Sequence, residues 1–162
     1  ILYRRKTHYV QKQFPFEPYN SFRNNNNLSY RLRFKQSHKK KKMNKKLTQH
    51  IIVDKSHTAE SLGSGLLPVF STPAMIALME NTAMKLIELP EGSSSVGTSI
   101  CVKHLKASPI GEKITCNAML TLNEGRRYEF QLEAFDNKGD LIGSGTHERF
   151  VIDIEKFMSK IQ

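Results

Sequence analysis

The 162-residue chain is about one domain's worth, with two cysteines and a formal net charge of +10. Charge of that size points to nucleic acid or an anionic membrane, yet residues 1–42 hold 12 Lys/Arg against one acid, Glu17, while residues 43–162 hold 13 Lys/Arg against 14 Asp/Glu. The C-terminal three quarters are therefore near neutral, which leaves no compositional case there for a nucleic-acid partner, and no window approaches the apolar length of a membrane span.

Residues 1–42 read as a disordered basic segment. They contain Asn24–Asn27 and Lys39–Lys42 without a sustained apolar period, and low hydrophobicity with high charge cannot offset chain entropy. The leading reading is upstream sequence translated in frame, with Met43 as the start of the native domain, residues 43–162. A basic transit peptide and a nucleic-acid-binding arm are the two alternatives.

From Met43 onward the elements follow in order. Leu47–Val53 is a short β-prone segment, and residues 54–68 form a polar, Gly-rich loop. Thr72-Pro73 reads as a helix start, with a hydroxyl at the N-cap and Pro at the first helical position. The helix is predicted over Pro73–Glu88, stopped by Pro90 and Gly92; it is apolar almost all round, which implies burial inside a domain. Strands are predicted over Ser95–His104, Lys113–Leu122, Tyr128–Phe135 and Asp140–Ile154, with hairpin turns at Asn123–Gly125 and Asp136–Gly139. One buried helix followed by a meander of strands gives an α+β fold, an antiparallel sheet wrapped around the helix. A core of about 120 residues is expected to bury a sheet edge or helix flank against a second copy. Cys101 and Cys116 fall in apolar strand segments and read as small core residues. With no secretory segment before them, the expected compartment is the cytoplasm. No CxxC, HExxH, P-loop or GxGxxG pattern occurs, so no metal or nucleotide cofactor is predicted.

Chemistry concentrates in two stretches, Ser71–Glu80 and Cys101–His104. Glu80 is a solitary carboxylate in an apolar run, and a buried carboxylate needs a partner or a function. His104 is a candidate for either, and Thr72 at the mouth of the helix is a possible third member. Each residue also has a plainer reading: Glu80 bonded to a strand backbone, His104 a strand-end histidine, Thr72 a helix cap. His147 reads as structural. Lys103, Lys106 and Lys113 offer a modest basic rim for phosphates, although solvated surface charge is the simpler account of each.

Three motifs in this order, Thr72–Glu80, Val96–His104 with Ser108–Gly111, and Ile142–Arg149, resemble the hotdog-fold acyl-CoA thioesterases, and within them the fluoroacetyl-CoA thioesterase branch. The resemblance covers roughly residues 47–160. It implies a homodimeric or dimer-of-dimers hotdog that hydrolyses acyl-CoA. It also implies catalytic roles for Thr72, Glu80 and His104, and substrate contacts from Gly97 and Arg149. Arg149 would then meet a CoA phosphate or the acyl end; read on its own it is a strand-edge ion pair with Glu148 or Glu112. The branch's selectivity depends on a lid of bulky residues before the helix. Here that region, Glu60–Phe70, is Gly-rich and does not align, so the reaction carries over and the fluorinated substrate does not. Leu67, Val69 and Phe70 favour a small groove and short acyl chains.

For the chemistry, the free N–H groups and dipole at the helix start would receive the thioester carbonyl, and Glu80 would attack the acyl carbon or activate water. Eight helical residues rise about 12 Å, so Thr72 and Glu80 of one chain are not expected to share a hydrogen bond. A joint site would draw on two subunits or on a helix that starts later. Three other functions remain in view: a non-catalytic acyl-CoA-binding hotdog module, an enoyl-thioester hydratase, which would call for an Asp/His pair, and nucleic-acid binding through residues 1–42.

Overall fold

The computed structural model describes residues 45–161, so the reading of residues 1–42 lies outside the described residues. Its elements are β1 (Lys46–Ile52), α1 (Thr72–Met84), β2 (Ser93–His104), β3 (Lys113–Glu124), β4 (Arg127–Phe135), β5 (Leu141–Asp153) and a short α2 (Ile154–Met158). The strands form one antiparallel sheet in the order β1-β3-β4-β5-β2. α1 touches every strand, which is the predicted α+β arrangement.

The alternation read from the sequence explains the core. Ile114, Cys116, Ala118 and Leu120 of β3 and Phe130, Leu132 and Ala134 of β4 are buried, and they meet Met75, Met79 and Ala83 of α1. Leu122 breaks the pattern. The β3–β4 register shifts between Leu120 and Leu122, and Leu122 ends half-buried.

α1 differs from expectation at both ends. Its N-cap is Ser71, whose Oγ accepts from the Ala74 amide at 3.1 Å. Thr72 is thereby the first helical residue and its hydroxyl is free of capping duty. At the other end, the Leu86 and Ile87 amides bond to Ala83 and Met84 carbonyls. Such i→i+3 bonds tighten a last turn, so the helix closes at Met84 and Leu86 and Ile87 are buried beyond it. Nor is α1 buried all round. Pro73, Ala77 and Asn81 are exposed, and Ile76, Glu80 and Met84 are half-buried. These six follow a three- and four-residue spacing, one stripe of the helix. The sheet of a single chain covers only the opposite side.

Edge position accounts for Cys101. Among the described residues β2 pairs with β5 alone, and Cys101 is exposed there, whereas Cys116 in the inner strand β3 is buried as expected; both thiols are free. The 54–70 segment closes on itself. Its Ala59 and Glu60 amides bond to Val69 and Leu67 carbonyls, and the Phe70 amide bonds to Ser108. That stitching delivers the chain to Ser71 and fixes where α1 begins.

Candidate active site

The structure assembles two polar clusters, one at the start of α1 and one at its middle. At the start, Thr72 Oγ1 lies 2.9 Å from His104 Nδ1. β2 ends at His104, and the chain is turned there by the Leu105 amide, which bonds to the Ile142 carbonyl at 2.7 Å. Phe70 stands edge-on to the imidazole, centroid to centroid 6.2 Å. Burial pushes the His104 pKa below the usual imidazole value, against a smaller opposing effect of the Lys106 backbone. The ring is therefore neutral at neutral pH and can accept the Thr72 proton at Nδ1. Its other nitrogen, Nε2, is buried with no partner among the described residues. An open groove bordered by Val69, Phe70, Leu105 and Ala107 leads to this pair.

The expected row of free amides at the helix start is shorter than predicted. Ser71 occupies the Ala74 amide, and Pro73 has none. The dipole's positive end remains, with the Thr72 amide as the available donor in the first turn.

The second cluster surrounds Glu80. Its carboxylate makes no hydrogen bond among the described residues, so the plainer reading of a Glu tied to strand backbone is not what is found. Oε1 stands 3.7 Å from His147 Nε2. His147 is buried on β5. Its Nδ1 donates to the Ser99 carbonyl at 2.8 Å, and its Nε2 accepts from Arg149 Nη1 at 3.1 Å. Arg149 is also buried, donating from Nε to Ser95 Oγ at 2.9 Å and from Nη2 to the Ser95 carbonyl at 2.6 Å. The strand-edge ion pair expected of Arg149 is absent: Glu148 faces the other way, bonded to Thr98 Oγ1 at 2.7 Å and to Arg127 Nε at 2.6 Å. Gly97 makes this crowding possible. A Cβ there would lie 2.9 Å from Glu80 Oε1 and 3.1 Å from His147 Cε1. The β2–β5 register also shifts just after Gly97.

Every candidate therefore falls into one of two groups, Thr72 with His104, and Glu80 with Gly97 and Arg149. Within one chain the groups stand apart, as the helical rise of about 12 Å between Thr72 and Glu80 requires. His147, which the sequence reads as structural, lies in the second group. A signal was present: two residues apart on a strand, His147 and Arg149 share a face. Lys106 is not free for phosphates, since its Nζ bonds Asp136 Oδ2 and Asp140 Oδ2, each at 2.6 Å. Among the described residues no three His, Cys, Asp or Glu side chains converge as a metal site.

With this geometry in place, comparison with known proteins decides the family. The model of the fluoroacetyl-CoA-specific thioesterase family matches residues 53–155. The chain belongs to this family. The fluoroacetyl-CoA thioesterase of Streptantibioticus cattleyicolor is 45% identical over 96 residues, 58% of this chain and 68% of that one. A crystal structure of a fluoroacetyl-CoA thioesterase superposes with a TM-score of 0.69 at 38% identity, covering 74% of this chain and 93% of the other. A Thermus thermophilus thioesterase-superfamily protein gives 0.67 at 28% identity, covering 74% and 89%. A hot-dog-like protein of Thermanaerovibrio acidaminovorans gives 0.67 at 25%, with the same coverage. The α+β fold is thus a hotdog, and the enzyme is a hotdog-fold thioester hydrolase.

Proposed function

We propose that this thioesterase hydrolyses short-chain acyl-CoA to free acid and CoA in a homodimer, with Thr72, Glu80 and His104 catalytic and Gly97 and Arg149 shaping the substrate site. Each site takes Thr72 and His104 from one subunit and Glu80 from the other. The observation that carries the reading is the Thr72–His104 contact at 2.9 Å beside an open groove, on an imidazole whose burial keeps it neutral. Such a ring is a base at neutral pH. It takes the proton of the Thr72 hydroxyl or of a water held there as oxygen attacks the acyl carbon. The carbonyl oxygen gathers charge near the positive end of α1. The C–S bond then breaks, and the CoA thiolate leaves with the proton from the imidazolium. Where Thr72 is the attacking oxygen, a water then attacks the acyl–Thr72 ester with His104 taking its proton, the acid departs, and the threonine oxygen recovers that proton from the ring.

The dimer is supported by what one chain leaves uncovered: the stripe of Pro73, Ile76, Ala77 and Met84 on α1, and the free edge of β2. Two unpaired thiols favour a cytoplasmic location. No helix among the described residues is long and apolar enough to cross a membrane. A purely acyl-CoA-binding module would have no use for Glu80 and the Thr72–His104 contact together, and the presence of both favours catalysis. Acyl length follows the apolar approach past Val69, Phe70 and Leu67.

Thiol release from acetyl-, propionyl-, fluoroacetyl-, hexanoyl- and palmitoyl-CoA by the full chain, wild type against Glu80→Ala, tests this reading. Glu80-dependent turnover that is greatest on the short esters is expected. Retained acyl-CoA binding with no turnover on any ester would replace the enzyme by a binding module.

A further inference from the structure

Glu80 lies close to a buried cation without bonding to it. Arg149 is 7% exposed and, among the described residues, has no carboxylate in hydrogen-bond contact. Buried guanidinium groups ordinarily take a carboxylate directly, often through two bonds. The nearest carboxylate here is Glu80, and between the two stands the imidazole of His147, 3.1 Å from Arg149 Nη1 and 3.7 Å from Glu80 Oε1.

The hydrogen bonds of that imidazole fix its protons. A carbonyl oxygen only accepts, so Nδ1, against Ser99, carries hydrogen. A guanidinium only donates, so Nε2, against Arg149, carries the lone pair. His147 is therefore neutral with Nε2 as acceptor, and it has no proton to offer Glu80. Burial and the Arg149 charge both hold its pKa below the ordinary value, which keeps it so. Among the described residues, the titratable and charged groups that face Glu80 are His147 and Arg149 of β5. β2 presents Gly97 and Ser95 to this cluster, which do not titrate.

We propose that His147 is a positioning residue that holds Arg149 one ring away from Glu80, so that the carboxylate has a compensating charge nearby yet stays free of a direct ion pair. A carboxylate forked by arginine is a poor base or nucleophile, because both oxygens are occupied and its pKa is driven down. A carboxylate with no cation nearby loses the charge attraction that helps to hold it in place. The imidazole sets the distance between these two outcomes, and Gly97 provides the room for it. The inference rests on Glu80 acting in catalysis.

The test is a titration of the Glu80 side-chain carboxyl carbon by 13C NMR on the full chain, with the signal assigned by its loss in Glu80→Gln and turnover of acetyl-CoA measured in parallel. In His147→Leu, Arg149 is expected to close on Glu80, the titration midpoint to fall by about one pH unit, and kcat to drop roughly 10- to 100-fold with KM changed little. His147→Gln keeps an acceptor for Arg149 and should restore most of both. Arg149→Gln should move the midpoint upward. A midpoint in His147→Leu equal to wild type, or Gln no better than Leu, overturns the proposal; if the Leu variant does not fold, an unmoved midpoint in Arg149→Gln does so. Full activity in Glu80→Gln would instead sink the catalytic role of Glu80, an outcome distinct from a dead Glu80→Gln with unmoved midpoints.

Discussion

The two clusters along α1 solve opposite problems. At the helix start, Thr72 and His104 are in direct hydrogen-bond contact at 2.9 Å, on an imidazole that burial keeps neutral. At the helix middle, Glu80 stands 3.7 Å from His147 Nε2 and makes no hydrogen bond among the described residues. The first arrangement is a hydroxyl–imidazole pair complete within one chain. The second is a half-buried carboxylate without a hydrogen bond among the described residues, with Gly97, His147 and Arg149 around it. Contact suits a group that must hand over a proton, and separation suits one whose partner comes from outside the chain.

The strongest way to break this comparison is to separate the clusters onto different chains. Thr72→Ala and Glu80→Ala should each lower kcat by at least about 100-fold, the scale of a lost acid–base or nucleophilic group. In a randomly mixed population half the dimers are heterodimers, each with one intact site, so activity should return to about a quarter of wild type. Recovery no greater than the parents would place both clusters in the service of one chain's site, or remove one of them from catalysis.

Gly97→Ala sharpens the contrast at the Glu80 end. The added Cβ would meet Glu80 Oε1 at 2.9 Å and His147 Cε1 at 3.1 Å. The carboxylate is the tip of a flexible side chain and can swing away cheaply, so stability should hardly change. Its position is lost, however, and misplacement on the order of 1 Å costs about 100-fold. We expect kcat reduced roughly 10- to 100-fold with the thermal midpoint within a degree or two. An equal loss of stability and activity would mean that Gly97 serves the β2 backbone rather than the site.

How far these clusters could be read from sequence depends on which rule governs each residue. The buried faces of β3 and β4 follow strict alternation, so Ile114, Cys116, Ala118 and Leu120 were legible, as was a helix starting at the Ser71-Thr72-Pro73 stretch. The cap was not, because Ser71 and Thr72 are both good capping residues and the choice lies in one backbone angle; Ser71 is extended, with φ −89° and ψ 153°. Cys101 and the open stripe of α1 escaped for another reason: composition reports how apolar a segment is, and only sheet order reports which side is covered. His147 escaped because its value is relational. Nothing in His147 itself distinguishes a core histidine from one set between a guanidinium and a carboxylate.

Lys106→Met probes the other end, with a smaller effect. Lys106 ties the chain just after His104 to Asp136 and Asp140 in the β4–β5 turn. Asp136 Oδ1 meanwhile accepts from the Lys138 and Asp140 amides, each at 2.9 Å. The ammonium and the Asp136 carboxylate favour their charged forms through their mutual bond, which raises the Lys106 pKa and lowers that of Asp136. Without the lysine, the turn that sets the His104 ring loosens while Glu80 is untouched. Turnover should fall several-fold, on the order of threefold to tenfold. Lys106→Arg should restore much of it, and the effect should be absent in a Thr72→Ala background, where the positioned ring has no hydroxyl to serve.

The smallest effect is on stability, and it treats the two ends alike. Both His104 and His147 are held below the ordinary imidazole value of about 6.5, in each case chiefly by burial. Below that value the unfolded chain takes up protons that the folded chain refuses, so stability falls as pH drops through about 6.5 toward the lower folded-state values. Above about 6.5 the contribution is complete and the curve is flat in this respect. A thermal midpoint measured from pH 7.5 to 5.5 should therefore decline by a few degrees on the acid side. His104→Gln and His147→Gln should each remove part of that slope, and the double variant the sum, since the rings share no hydrogen bond and independent sites add. A slope that survives both substitutions would assign the acid sensitivity to groups outside the two clusters. One abolished by either substitution alone would show the two clusters to be coupled through the turns of α1 that separate them.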